Sequence, residues 1–159
     1  MNASLTRLHG DFHLGQILVA NDDVIIVDFE GEPMRPLADR RQKHLPLRDI
    51  AGMLRSFDYA RAATVRNCRL AETEASSLRE IISRMQSSFL SVYAQAIAGC
   101  ASFPEDLAQA DDVLEFCLIE KSMYEVLYEI SNRPDWVNIP VVGLLGILDG
   151  KRNQFQRID

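Results

Sequence analysis

Two acidic residues, each at the end of an apolar run, have the spacing in this chain that most suggests chemistry. Asp11 stands in Leu8-His9-Gly10-Asp11-Phe12-His13-Leu14-Gly15-Gln16, and Asp28 in Ile26-Val27-Asp28-Phe29-Glu30-Gly31-Glu32-Pro33. Gln16 follows Asp11 by five positions. A carboxylate that can take a hydroxyl proton, beside an amide oxygen and a second carboxylate that can hold magnesium, suits phosphoryl transfer. That reaction asks little covalent work of a protein and much positioning and charge neutralisation. Asp11 is therefore the candidate base, and Gln16 and Asp28 are the candidate Mg2+ ligands.

The elements between them must bring these groups together. Ile17-Leu18-Val19-Ala20 reads as a strand, Asn21-Asp22-Asp23 as a turn and Val24-Ile25-Ile26-Val27 as the returning strand. A hairpin with that three-residue loop puts Gln16 and Asp28 at the same end, although they are twelve positions apart. The five-residue step matches H-R-D-x-x-x-x-N, with Gln for Asn, and Asp28-Phe29-Glu30 stands where D-F-G would. Two other readings compete. His9, Asp11 and His13 alternate, so on a strand they would share one face and could serve a metal-dependent hydrolase. Gly10 and Gly15 favour a loop instead. A non-catalytic binding or assembly module that retains the motif is the other alternative.

The paired motifs resemble the catalytic half of the maltokinases, which are similar to the aminoglycoside phosphotransferases, a branch of the protein-kinase-like fold. The resemblance continues through Pro46-Leu47-Arg48-Asp49-Ile50-Ala51-Gly52-Met53-Leu54-Arg55-Ser56-Phe57-Asp58-Tyr59-Ala60. It returns at Tyr124-Glu125 and at Asn132-Arg133-Pro134-Asp135-Trp136. It implies a mainly α-helical C-terminal catalytic lobe with a small β-hairpin. It further implies ATP and Mg2+ as cofactors, and maltose as the acceptor that becomes maltose 1-phosphate. Fusion to trehalose synthase, or action beside it, is common in that family. His9, Glu30 and Arg55 are supporting candidates on the same resemblance.

A kinase-like enzyme also needs a lobe with a glycine-rich loop and a strand lysine. The eight residues before His9 hold neither, so residues 1–159 are expected to be one domain equivalent to the catalytic lobe alone. By itself it should be inactive. It should also leave apolar surface near Leu5, Leu8 and the hairpin for the N-terminal lobe or for another copy in a homodimer.

Composition narrows the remaining classes. A length of 159 residues with ordinary apolar and charged content fits one globular domain. A net charge of −6 argues against a nucleic-acid footprint, which needs a basic face. Cys68, Cys100 and Cys117 are unpatterned and read as reduced, mostly buried thiols. With no signal-peptide pattern and no long apolar run, a cytoplasmic protein without a membrane span is expected.

The rest of the chain reads as helices. Arg35, Arg40, Arg41, Lys43 and Arg48 make residues 34–49 basic, either as a solvated face or as an attraction for phosphate, in a segment placed for mobility. A helix from Pro46 to about Asn67 carries Ile50, Leu54, Phe57 and Arg61 on one stripe, and Ala51-Gly52 admits a close backbone. Arg55 and Asp58 lie near one another on it. Glu72 to Ala98 is a second helix, capped by Thr73 or Ser76-Ser77, with Leu78, Ile82, Met85, Phe89, Val92 and Ala96 inward. Ser102-Phe103-Pro104-Glu105 opens the next element, with its proline suited to a first helical turn. A third helix runs from Asp111 or Asp112 to about Ser131, with Val113, Phe116, Cys117, Glu120, Tyr124, Leu127 and Ile130 near one face. Its Lys121, Tyr124, Glu125 and Tyr128 offer the hydrogen-bonding and stacking groups a sugar pocket needs. His13 and Glu32 are expected to border that pocket. Trp136 is read as core rather than as a sugar platform. Pro140 opens a last helix through Leu144, Leu145 and Leu148, ending near Gly150 or the polar tail.

Overall fold

In the computed structural model, residues 3–149 are described. They are mainly helical, with one two-stranded antiparallel hairpin. After the hairpin come a four-residue helix α1 (Leu37–Arg40) and the long helices α2 (Leu47–Cys68), α3 (Glu72–Ile97) and α4 (Leu107–Asn132). A 3-10 turn at Pro134–Trp136 then leads into α5 (Asn138–Leu148). The expected end near Gly150 and the polar tail lies outside the described residues.

The core forms where α2 meets α4. Leu47, Ile50, Ala51 and Leu54 of α2 pack with Ala110, Leu114, Cys117 and Leu118 of α4, and Leu90 and Ile147 close the cluster. Ile50, Leu54 and Phe57 of the expected stripe are buried, and Arg61 at its end is half-buried. A second cluster of Met53, Phe57 and Ile82 packs against Phe12, Leu14 and Ile17. It thereby seats the loop that carries Asp11 on α2. Ahead of the loop, Thr6 makes an isolated antiparallel bridge to His44.

Several expected faces turn out rotated. On α3 the buried residues are Ala75, Ile82 and Leu90, while Met85 and Val92 face solvent. The α3 cap is Ala71, whose N–H donates to Glu74 Oε2 at 2.8 Å, so neither Thr73 nor the serine pair caps it. Helix α4 begins at Leu107, ahead of Asp111, because the Asp106 side chain accepts from Ala108 N and caps it. Pro104 lies before this helix, not in its first turn. Phe116, Leu127 and Ile130 are exposed, and Glu125 and Glu129 are buried in their place. Buried carboxylates survive only when paired, and both are. Two cysteines, Cys68 and Cys100, are exposed, so only Cys117 fits the expected buried thiol. In α5, Leu145 and Leu148 face solvent, and Pro140 and Ile147 are the buried residues.

Candidate active site

The hairpin is tighter than its sequence suggests. Strands β1 (Ile17–Ala20) and β2 (Asp23–Ile26) pair Ile17 with Ile26 and Ala20 with Asp23, leaving a two-residue loop. Asn21 and Asp22 both have positive φ, 53° and 61°, as a primed turn requires. Asp23 therefore belongs to the strand rather than to the turn.

At the open end of the hairpin, Val27 N donates to Gln16 O at 3.0 Å. The Gln16 side-chain Nε2 donates to Asp28 Oδ2, also at 3.0 Å. Asp28 itself sits at φ 65°, a left-handed conformation that a non-glycine residue holds only with surrounding support. An amide oxygen and a carboxylate thus converge on one exposed edge. This hard donor set suits magnesium, once the amide turns its oxygen toward the ion.

The Asp11 loop is fastened from three sides. The Asp49 carboxylate of α2 accepts from His9 N at 2.8 Å and from Gly10 N at 3.0 Å. Burial raises the Asp49 pKa above the usual aspartate value, against the pull of these two hydrogen bonds. The His9 ring reaches Val27 O at 2.8 Å through Nε2 and accepts from Asp11 N through Nδ1 at 3.3 Å. The tautomer with its proton on Nε2 satisfies both contacts, so the ring ties the loop to the strand ahead of Asp28. On α2, Ser56 Oγ accepts from Leu14 N at 3.1 Å. His9 is therefore a scaffold residue, and His13 caps the 3-10 turn Leu14–Gln16. Neither belongs to a strand face, which removes the geometric basis of the hydrolase reading.

Close backbone contacts complete the fastening. Gly10 and Gly31 both have positive φ, and a Cβ on Gly10 would lie 3.0 Å from Gly31 Cα. A Cβ on Gly52 would lie 2.8 Å from Phe12 O, so α2 can approach the loop only with glycine there.

Asp11 opens onto a cleft of about 660 Å³ between the loop, Pro33 and Met34, α2 and α4. His13, Glu32, Lys121, Tyr124, Glu125 and Tyr128, the candidates for a sugar pocket, all line it. Lys121 Nζ lies 3.0 Å from Glu32 Oε1 and 3.9 Å from Asp11 Oδ1. Glu32 also accepts from Arg35 Nε at 2.8 Å. Burial pushes the Glu32 pKa up, but Lys121 and Arg35 outweigh it and hold the carboxyl below its usual range. Burial, with Glu32 nearby, pushes the Tyr124 hydroxyl up to about 12.

The rear wall consists of paired charges. Arg55, only 1% exposed, donates through Nε to Glu125 and through Nη1 to Asp58, both at 2.8 Å. Burial raises the Glu125 pKa against the opposing effect of Arg55. Glu129 accepts from Tyr59 and from Arg133. Arg55 therefore stands behind the cleft, and Glu125 lines the cleft while paired to it. Glu30 points to solvent, and only its carbonyl is used, by Arg40. Gln16 and Asp28 are joined to this cleft through His13, whose Nε2 lies 3.4 Å from Gln16 Nε2. Trp136 is half-buried, with Arg66 and Arg133 over its ring at 5.2 and 5.3 Å, and lines neither core nor cleft.

Sequence reasoning passed over Asp49, Ser56 and Tyr59. An acid and a hydroxyl on a helix face otherwise committed to the core, at Asp49 and Ser56, were the available signals. The basic segment 34–49 is partly neutralised: Arg35 pairs with Glu32, and Arg48 with Glu120. Among the described residues no helix is long and apolar enough to cross a membrane.

The chain is 32% identical over 149 residues to a glucosamine kinase of Streptacidiphilus jiangxiensis, across 91% of this chain and 32% of that protein. It is 28% identical over 142 residues to a glucosamine kinase of Mycolicibacterium smegmatis, across 89% of this chain and 34% of that one. Solved structures of glucosamine kinase in two crystal forms superpose with a TM-score of 0.79 at 30% identity, covering 92% of this chain and 35% of theirs. A glucosamine kinase in complex with glucosamine, ADP and inorganic phosphate gives 0.76 at 30% identity, covering 92% of this chain and 36% of that one. The chain thus spans about a third of the length of the relatives it matches. No family model matches it. These homologues are sugar kinases of another acceptor, and nothing in them supports maltose.

Proposed function

We propose that this chain is the catalytic, acceptor-binding lobe of an ATP-dependent sugar kinase, and that its acceptor is an amino sugar of the glucosamine kind. The observation that carries the reading is the charge of the cleft, whose lining sets the carboxylates of Asp11, Glu32, Glu125 and Glu129 against two cations, Lys121 and Arg133. A protonated amino sugar is a cation that this acidic cleft would attract, whereas maltose carries no charge for it to recognise. The relatives named for glucosamine point the same way. A volume of about 660 Å³ suits a small sugar.

In this reading Asp11 accepts the proton of the attacking sugar hydroxyl as its oxygen bonds to the terminal phosphorus of ATP and the bond to ADP breaks. Asp28 and the Gln16 amide oxygen would hold Mg2+, which would neutralise charge on the phosphate oxygens. His9 and Asp49 keep the loop in place, Glu32 and Asp11 orient the amino sugar, and Tyr124 and Tyr128 offer ring faces. Among the described residues no nucleotide-holding groups like those of a second lobe surround this site, so the chain alone should turn over little.

Calorimetric titration of the chain with glucosamine and with maltose tests the acceptor. Glucosamine should bind and should weaken in Glu32→Gln, while maltose should not. Preferential binding of maltose would reject the amino-sugar reading and restore a maltokinase one. Robust ATP consumption by the chain alone would reject the lobe reading. Phosphate transfer by a longer protein containing this lobe, unchanged in Asp11→Asn, would reject the kinase chemistry assigned here.

A further inference from the structure

A second cleft, of about 530 Å³, opens on the far side of α2, between α2, α3 and α5. Its lining carries three arginines, Arg55, Arg61 and Arg79, against a single carboxylate, Asp58. That carboxylate is committed: it accepts from Arg55 Nη1 at 2.8 Å and from Gln86 Nε2 at 3.2 Å. Among the described residues neither Arg61 nor Arg79 has an ion-pair partner, although nearby surface arginines do. Arg66 pairs with Asp135 and Arg84 with Glu80. Arg55 Nη2 is fully buried and has no hydrogen-bond partner. It lies against Gly143 of the same lining, where any Cβ would collide with the guanidinium. Unmatched guanidinium donors converging on one concavity are the usual means of holding a planar or tetrahedral oxyanion.

We infer that this cleft binds a phosphate dianion, free or as a sugar phosphate monoester, through Arg61 and Arg79, over the floor made by Arg55. Gln86 and Asn138 line the same cleft and offer amides to hydroxyl groups, and Ile82 and Val142 offer apolar wall. The site is separate from the acceptor cleft, whose lining shares none of these residues. Arg55 nevertheless connects the two, because its Nε holds Glu125 on the acceptor side at 2.8 Å.

The full chain is titrated by calorimetry with inorganic phosphate and with glucose 6-phosphate. Both should bind, and the double variant Arg61→Ala/Arg79→Ala should weaken both by about tenfold or more. Tighter binding of the ester assigns the site to a phosphorylated sugar, and equal binding assigns it to free phosphate. Arg61 is half-buried and Arg79 exposed, so the variant should keep its fold, checked by circular dichroism. Unchanged binding in that variant, absence of binding by either probe, or loss of binding instead in Lys121→Ala would each overturn the inference.

Discussion

At the scale of single residues, charge is placed in two different ways. Asp11 stands partly open to the cleft, whereas Arg55 is locked between Glu125 and Asp58. Asp11→Asn keeps the shape but removes the base, so phosphate transfer in a lobe-complete enzyme should fall by about 10²–10⁴-fold. Glucosamine affinity measured in parallel should change far less. Asp28→Ala should leave sugar binding intact and abolish the Mg2+ dependence of nucleotide binding. Arg55→Ala strands two carboxylates and should destabilise the chain by about 3–5 kcal/mol, measured by urea unfolding. A change within the error of that measurement would show that the pair is not buried in solution.

At the scale of elements, the site depends on helix α2 standing close enough to support an irregular loop. Gly52→Ala would push a methyl against Phe12 O and should cost about 1–3 kcal/mol, with a loss of activity larger than the loss of stability implies. The same elements show what was legible in the sequence. The hairpin and the α2 stripe of Ile50, Leu54 and Phe57 could be read, because each follows a local period or spacing. The faces of α3 and α4 could not. Phe116, Leu127 and Ile130 look like core by period, yet the inward positions went to Glu125 and Glu129. Their partners Arg55 and Tyr59 lie 70 positions away in sequence, so no local pattern announces the pairing. The tight hairpin loop was missed because Asn-Asp without glycine is a weak sign of a turn with two left-handed residues.

At the scale of the molecule, the cleft links acidity to stability. The Glu32 pKa is lowered on folding, so its contribution is present above the ordinary glutamate value of 4.5 and is lost as pH falls through the folded value below it. Glu32→Gln should therefore narrow the difference in unfolding free energy between about pH 6 and about pH 3. Burial acts oppositely on Glu125 and Asp49, whose raised pKa values favour folding at low pH and oppose it as pH rises. The exposed hairpin side chains Leu18 and Ile25 on one face and Val19 and Val24 on the other, with Phe29, leave apolar surface that should drive self-association as concentration rises. Light scattering that shows a strictly monomeric chain would contradict this. The grip of Asp49 on two successive backbone N–H groups has a kinetic consequence as well. The amide protons of His9 and Gly10 sit in a segment without regular structure, yet they can exchange with solvent only when α2 releases them. In hydrogen-exchange measurements those two loop amides should follow the opening of α2, while amides on the unpaired edges of the hairpin exchange far sooner.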